Sequence, residues 1–108
     1  MQEGKEKTYA ERRAEMDKDD FRTILNTPYG RRFVWNLMAR CGIFAQSFVI
    51  GDPMATAFNE GRRSIGNTLL QQVIEVKPEA YLQMVKANKK EEAYARQCES
   101  RSDEPESE

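Results

Sequence analysis

The stretch Asp52-Pro53-Met54-Ala55-Thr56-Ala57-Phe58-Asn59-Glu60-Gly61-Arg62-Arg63-Ser64-Ile65-Gly66-Asn67-Thr68-Leu69-Leu70-Gln71-Gln72-Val73-Ile74-Glu75-Val76 decides the fold. It opens on a side chain able to cap a helix, then proline at the first helical position, where its missing N–H does no harm. Met54, Ala57, Phe58, Gly61, Ile65, Thr68, Leu69, Gln72, Val73 and Val76 then recur at the three- and four-residue spacing of one helix face. The spacing predicts the longest helix of the chain, with this stripe facing inward.

Working outward, Thr27-Pro28 repeats the cap-then-proline signal. The helix it starts carries Val34, Leu37, Met38 and Cys41 on one face, and Gly42 ends it. Asp20 is placed to cap a short helix from Phe21 to Leu25, and Tyr9 to Met16 reads as a separate charged helix with a thin apolar face. Ile43 to Ile50 is apolar and fits a buried helical turn, an extended connector or a continuation of the previous helix; a further short helical segment is the favoured reading. Pro78 marks another start, followed by the apolar patch Tyr81, Leu82, Met84 and Val85, after which amphipathicity weakens and fraying is expected. No pair of strands with turn chemistry occurs. The fold class is therefore all-α, a small bundle of about four helices. Residues 1–19 form a charged N-terminal helical arm, 20–97 the helical domain and 98–108 an acidic disordered tail.

That tail has almost nothing apolar with which to offset the entropy of ordering. An ordered part of roughly 75–80 residues yields a core worth only a few kcal/mol, and domains this marginal gain stability by self-association or from a partner. A monomeric three- or four-helix domain is the plainer alternative. The net charge of −1 hides a pattern: residues 1–20 sum to −2, residues 21–98 to +5 and residues 99–108 to −4. A basic middle between acidic ends favours an anionic partner, protein or nucleic acid.

Enzymatic chemistry finds little support. The chain has no histidine, which removes the commonest general base and metal ligand. Cys41 and Cys98 stand alone, without a disulfide framework or zinc spacing, and are expected as free thiols. Gly61-Arg62-Arg63-Ser64-Ile65-Gly66 lies inside a helix and not at a strand-to-helix turn, so it is no phosphate loop. No catalytic residue, cofactor or metal is expected. The N-terminus is charged and lacks the apolar stretch of a signal peptide, and Arg40 interrupts the most apolar run, so no membrane partner is expected.

Two Gly-Arg-Arg copies remain, Gly30-Arg31-Arg32-Phe33-Val34-Trp35-Asn36 and Gly61-Arg62-Arg63-Ser64-Ile65-Gly66-Asn67. In each the β-branched residue (Val34 or Ile65) is expected inside and the arginines at the boundary. Paired arginines fork onto carboxylates or phosphates; equally, their stems cover apolar neighbours as ordinary surface residues. The candidate binding residues are Arg31, Arg32, Trp35, Glu60, Arg62 and Arg63, with Glu60 and the two arginine pairs joined in one polar cluster. Gly61, on the apolar stripe, is expected to form a notch filled by Trp35 or Phe33, with Gly66 off the stripe.

These residues carry a resemblance. Phe21-Arg-Thr-Ile-Leu, Thr27-Pro-Tyr-Gly-Arg-Arg, Cys41-Gly42 and Asn59-Glu-Gly-Arg-Arg, in that order, resemble a family of small virion-associated structural proteins of tailed bacteriophages, first described from a short-tailed Bordetella phage. The resemblance covers about half of the chain. It implies a structural or assembly component of a phage virion, acting by protein–protein packing and not as an enzyme. It carries over no catalytic residue. The implied partners are other virion proteins and further copies of the chain, with packaged DNA as an additional candidate. The implied location is the virion, and the host cytoplasm during assembly. The rival readings are a nucleic-acid-binding regulator, a transient assembly scaffold, and an ejected internal protein that contacts DNA or membrane.

Overall fold

The computed structural model describes residues 6–103, which contain four helices and, among the described residues, no strand. They are α1 (Tyr9–Leu25), α2 (Pro28–Arg40), α3 (Pro53–Val76) and α4 (Pro78–Asp103). Each of the first three begins on a side-chain cap. Thr8 accepts from the Glu11 backbone N–H at 3.1 Å while the Glu11 carboxylate returns to the Thr8 N–H at 3.3 Å, a reciprocal capping box. Thr27 Oγ1 accepts from Gly30 N at 3.0 Å, and Asp52 Oδ1 from Ala55 N at 3.0 Å. Pro28, Pro53 and Pro78 occupy first helical positions, as their fixed φ favours.

Two expected breaks are absent. The charged helix and the short Phe21 helix are one continuous α1, with Asp20 inside it. Its acidic run is held locally: Arg13 pairs with Asp17 at 3.3 Å and Arg22 with Asp19 at 2.8 Å, so the carboxylates stay on the helix surface and do not cap a new one. At the other end α4 continues through Asp103, so Cys98 to Asp103, expected to be disordered, are helical. Ala93, Ala95, Arg96 and Gln97 are exposed helix formers that carry the helix on. The remainder of the expected tail, 104–108, lies outside the described residues.

The segment between α2 and α3 is not helical. After one turn it runs extended, bracketed by Gly42 (φ 79°) and Gly51 (φ 75°), a left-handed conformation that glycine enters without strain. This strap leaves Phe44, Phe48 and Ile50 exposed.

The core is a cluster of Leu25, Val34, Met38, Val73, Ala80 and Met84, drawn from all four helices. Lys77, the single residue between α3 and α4, donates from Nζ to Asn26 Oδ1 at 2.5 Å, pinning that corner to the α1–α2 corner. The face of α3 that points inward carries Thr56, Asn59, Arg63, Gly66, Leu69, Val73 and Val76. The apolar stripe read from the sequence turns partly the other way: Met54, Phe58 and Ile65 are 84%, 69% and 68% exposed. The reason lies in the strap, whose backbone covers the first half of α3 and requires polar groups beneath it.

The molecule is thin. Its principal extents are 83 × 40 × 16 Å, so it is long and flattened. Its accessible surface of 8971 Å² exceeds the roughly 6,200 Å² that surface scaling gives for a compact 12.5 kDa chain.

Candidate functional site

The first sequence block, Thr27-Pro28-Tyr29-Gly30-Arg31-Arg32, builds the corner between α1 and α2. A Cβ on Gly30 would lie 1.8 Å from the Ile24 carbonyl oxygen, so the turn closes only around glycine. Arg31 donates from a terminal nitrogen to the Leu25 carbonyl at 3.0 Å, supplying a positive partner to the free carbonyls ending α1. Arg32 is exposed. Trp35, one turn on, is half-buried, with ring centroids 4.8 Å from Phe44 and 6.4 Å from Tyr81. It therefore joins α2 to both the strap and α4. Arg31, Arg32 and Trp35 line one side of a groove of about 480 Å³ whose other wall is Gln83, Met84, Asn88 and Glu91 of α4.

The second block, Asn59-Glu60-Gly61-Arg62-Arg63, holds the strap. Asn59 Nδ2 donates to the Ser47 carbonyl at 3.1 Å, and the Ser47 hydroxyl donates to the Glu60 carboxylate. One turn earlier Thr56 Oγ1 accepts from Val49 N at 2.9 Å. Arg62 lies over the Phe58 ring, 5.7 Å from its centroid, beside Gly42, where a Cβ would meet an Arg62 terminal nitrogen at 3.5 Å. The Arg63 Nε is buried without a hydrogen-bond partner among the described residues.

The Arg31–Arg32–Trp35 group and the Glu60–Arg62–Arg63 group are not one cluster. Gly66 abuts Cys41 at the far end of α2, ten residues or about 15 Å along the helix from Arg31. The roles of the glycines on α3 are exchanged relative to expectation. A Cβ on Gly61 would meet nothing within 4 Å, whereas one on Gly66 would lie 2.5 Å from Ile43 Cγ2 and 2.6 Å from Cys41 Cβ. Neither Trp35 nor Phe33 fills a notch at Gly61; Phe33 is 67% exposed. Val34 is buried as expected, and Ile65 is not. Ser47 and Thr56 were missed, because a polar residue under an irregular strap leaves no periodic signal.

No group of three or more metal-binding side chains occurs among the described residues, and none of their helices is long and apolar enough to cross a membrane. The Bbp19-like phage protein family matches residues 21–86. The chain belongs to that family. The Bbp19-like match starts at Phe21 in α1 and ends at Lys86 in α4, so it takes in both corners, the strap and all six core residues. The family blocks seen in the sequence are thus the residues that close the fold: a cap, a glycine corner and a strap clamp. The outer turns of α1 and of α4 lie beyond the matched region. No curated protein and no solved structure matches the chain.

Proposed function

We propose that this phage protein is a structural or assembly component of a tailed-phage virion, acting by packing against other virion proteins and copies of itself. The supporting observation is the imbalance of its apolar residues. Sixteen large apolar side chains are exposed among the described residues against six buried apolar ones, in a layer 16 Å thick. Met54, Phe58 and Ile65 of α3, with Phe44, Phe48 and Ile50 of the strap, gather exposed apolar surface of the kind that marks an interaction face. On this reading the protein works without catalysis or cofactor, first in the host cytoplasm and then in the particle.

A nucleic-acid role has less to rest on. Arg31 is engaged with a helix terminus and Arg62 with Phe58 and Asn59, so the paired arginines act largely within the fold. Mass spectrometry of purified particles tests the proposal, with the chain expected at stoichiometric copy number. Its absence from mature virions sinks the virion role, and its presence in procapsids alone turns the reading to a transient scaffold.

A further inference from the structure

Along α3, Met54, Ala57, Phe58, Gly61, Ile65 and Thr68 share one exposed face. No charged residue stands on that face, though the Arg62 guanidinium reaches over the Phe58 ring from its flank, and Phe48 of the strap lines a shallow pocket together with Ala57 at its edge. At its centre Gly61 has nothing within 4 Å of where a side chain would begin. Glycine inside a helix costs about 1 kcal/mol relative to alanine. No close approach within this chain requires it at Gly61, while an approaching second backbone does.

We infer that this face is the seam of a homodimer in which the α3 helices of two copies pack in parallel across Gly61. The inference deepens the packing role proposed above and rests on it. Area supports a second copy: Met54, Phe58, Ile65 and Phe48 are each two-thirds or more exposed. Phe58 and Phe48, at roughly 150–250 Å² for a whole aromatic side chain, supply about a third of the ~800 Å² per partner of a standard interface, and Met54, Ile65 and their small neighbours add to it.

Charge chooses the orientation. Glu60 and Arg62 lie on opposite flanks of Gly61, about 100° to either side around the helix. A parallel two-fold pair sets Glu60 of each copy beside Arg62 of the other, twice over. An antiparallel pair sets Glu60 against Glu60 and Arg62 against Arg62, which repel. Parallel packing also brings like-numbered residues together: Met54 meets Met54 and Thr68 meets Thr68.

Sedimentation equilibrium of the full chain tests association. A dimer is expected, weakened about tenfold or more by Phe58→Asp, Ile65→Asp or Gly61→Leu. Helicity should be retained in each variant, since all three side chains stand outside the fold. Orientation is read by oxidative cross-linking in a Cys41→Ala, Cys98→Ser background. Met54→Cys and Thr68→Cys should each cross-link to themselves, and mixing the two should add little. A wild-type monomer at about 100 µM, a dimer indifferent to all three substitutions, or cross-links only between positions 54 and 68 overturns the inference. A monomeric chain still found in virions overturns the dimer alone. A dimer absent from virions overturns only the virion role.

Discussion

Gly66 and Cys41 touch so closely that α2 and α3 meet there backbone to side chain, with 2.6 Å between the Cys41 Cβ and the place a Gly66 Cβ would occupy. Gly66→Ala forces that seam apart. Ile43 can give, being a flexible side chain, but the Cys41 Cβ is fixed by its helix end. The expected loss is about 1–3 kcal/mol, seen as a lower midpoint in urea denaturation. An unchanged midpoint would show that the helices part without cost.

The α1–α2 corner is stricter. Gly30→Ala drives a methyl into the Ile24 carbonyl, a backbone atom that moves only with the helix. It should destabilise by about 3 kcal/mol or more, as backbone-displacing overpacking does at its upper end. Thr27→Ala, removing only the cap, should cost about 1 kcal/mol, and Thr27→Ser much less. Thermal melts of the three variants should keep that order.

The strap can be released without unfolding the bundle. Asn59→Ala removes the bond to the Ser47 carbonyl and leaves Leu25, Met38 and Val73 untouched. Hydrogen exchange should speed at residues 47–50, where Val49 N is held by Thr56, with little change at the α2–α3 seam. A uniform rise in exchange along the chain would mean that the strap is part of the global unfolding unit.

Lys7 gives a pH-dependent contact at the start of α1. Its ammonium donates to Glu15 at 2.5 Å, and that hydrogen bond, with the charge of the same carboxylate, raises its pKa above the ordinary 10.5. A raised lysine pKa stabilises below the unfolded value, and the contribution is lost as pH climbs through the folded one. Lys7 should therefore titrate above 10.5 by NMR and return towards it in Glu15→Gln. The start of α1 should lose this contact as pH climbs into the alkaline range.

The sequence revealed the punctuation well. Thr27-Pro28, Asp52-Pro53 and Pro78 mark their helices because caps and prolines act locally, within a turn of where they stand. Val34 and Met38 were legible as core because α2 is amphipathic in the ordinary sense. The first half of α3 was not, for Met54, Phe58 and Ile65 obey the right period on the outer face. Periodicity finds a stripe and cannot say which side of the helix has the fold behind it. The strap escaped for a related reason: beyond the turn bonds Ala45 N to Gly42 O and Asp52 N to Val49 O, it is held by side chains of Thr56, Asn59 and Glu60. Of the six candidate residues, Arg31 and Trp35 became parts of a corner, Glu60 part of a clamp, and Arg32 remains exposed. Their separation depends on the α2–α3 pairing at Gly66, which a single chain read in order does not display.

The bond from Lys77 to Asn26 spans 51 positions, and the Lys18–Glu75 ion pair at 3.2 Å joins the same two parts of the chain. Everything else in α1 with α2, and in α3 with α4, is close to its partner in the order of synthesis. The search for the native state therefore reduces to one encounter, the meeting of two hairpins that each close over short loops. Met38→Ala, at that meeting line, should retard refolding in stopped-flow measurements, whereas Thr8→Ala, at the far end of α1, should leave its speed nearly unaltered.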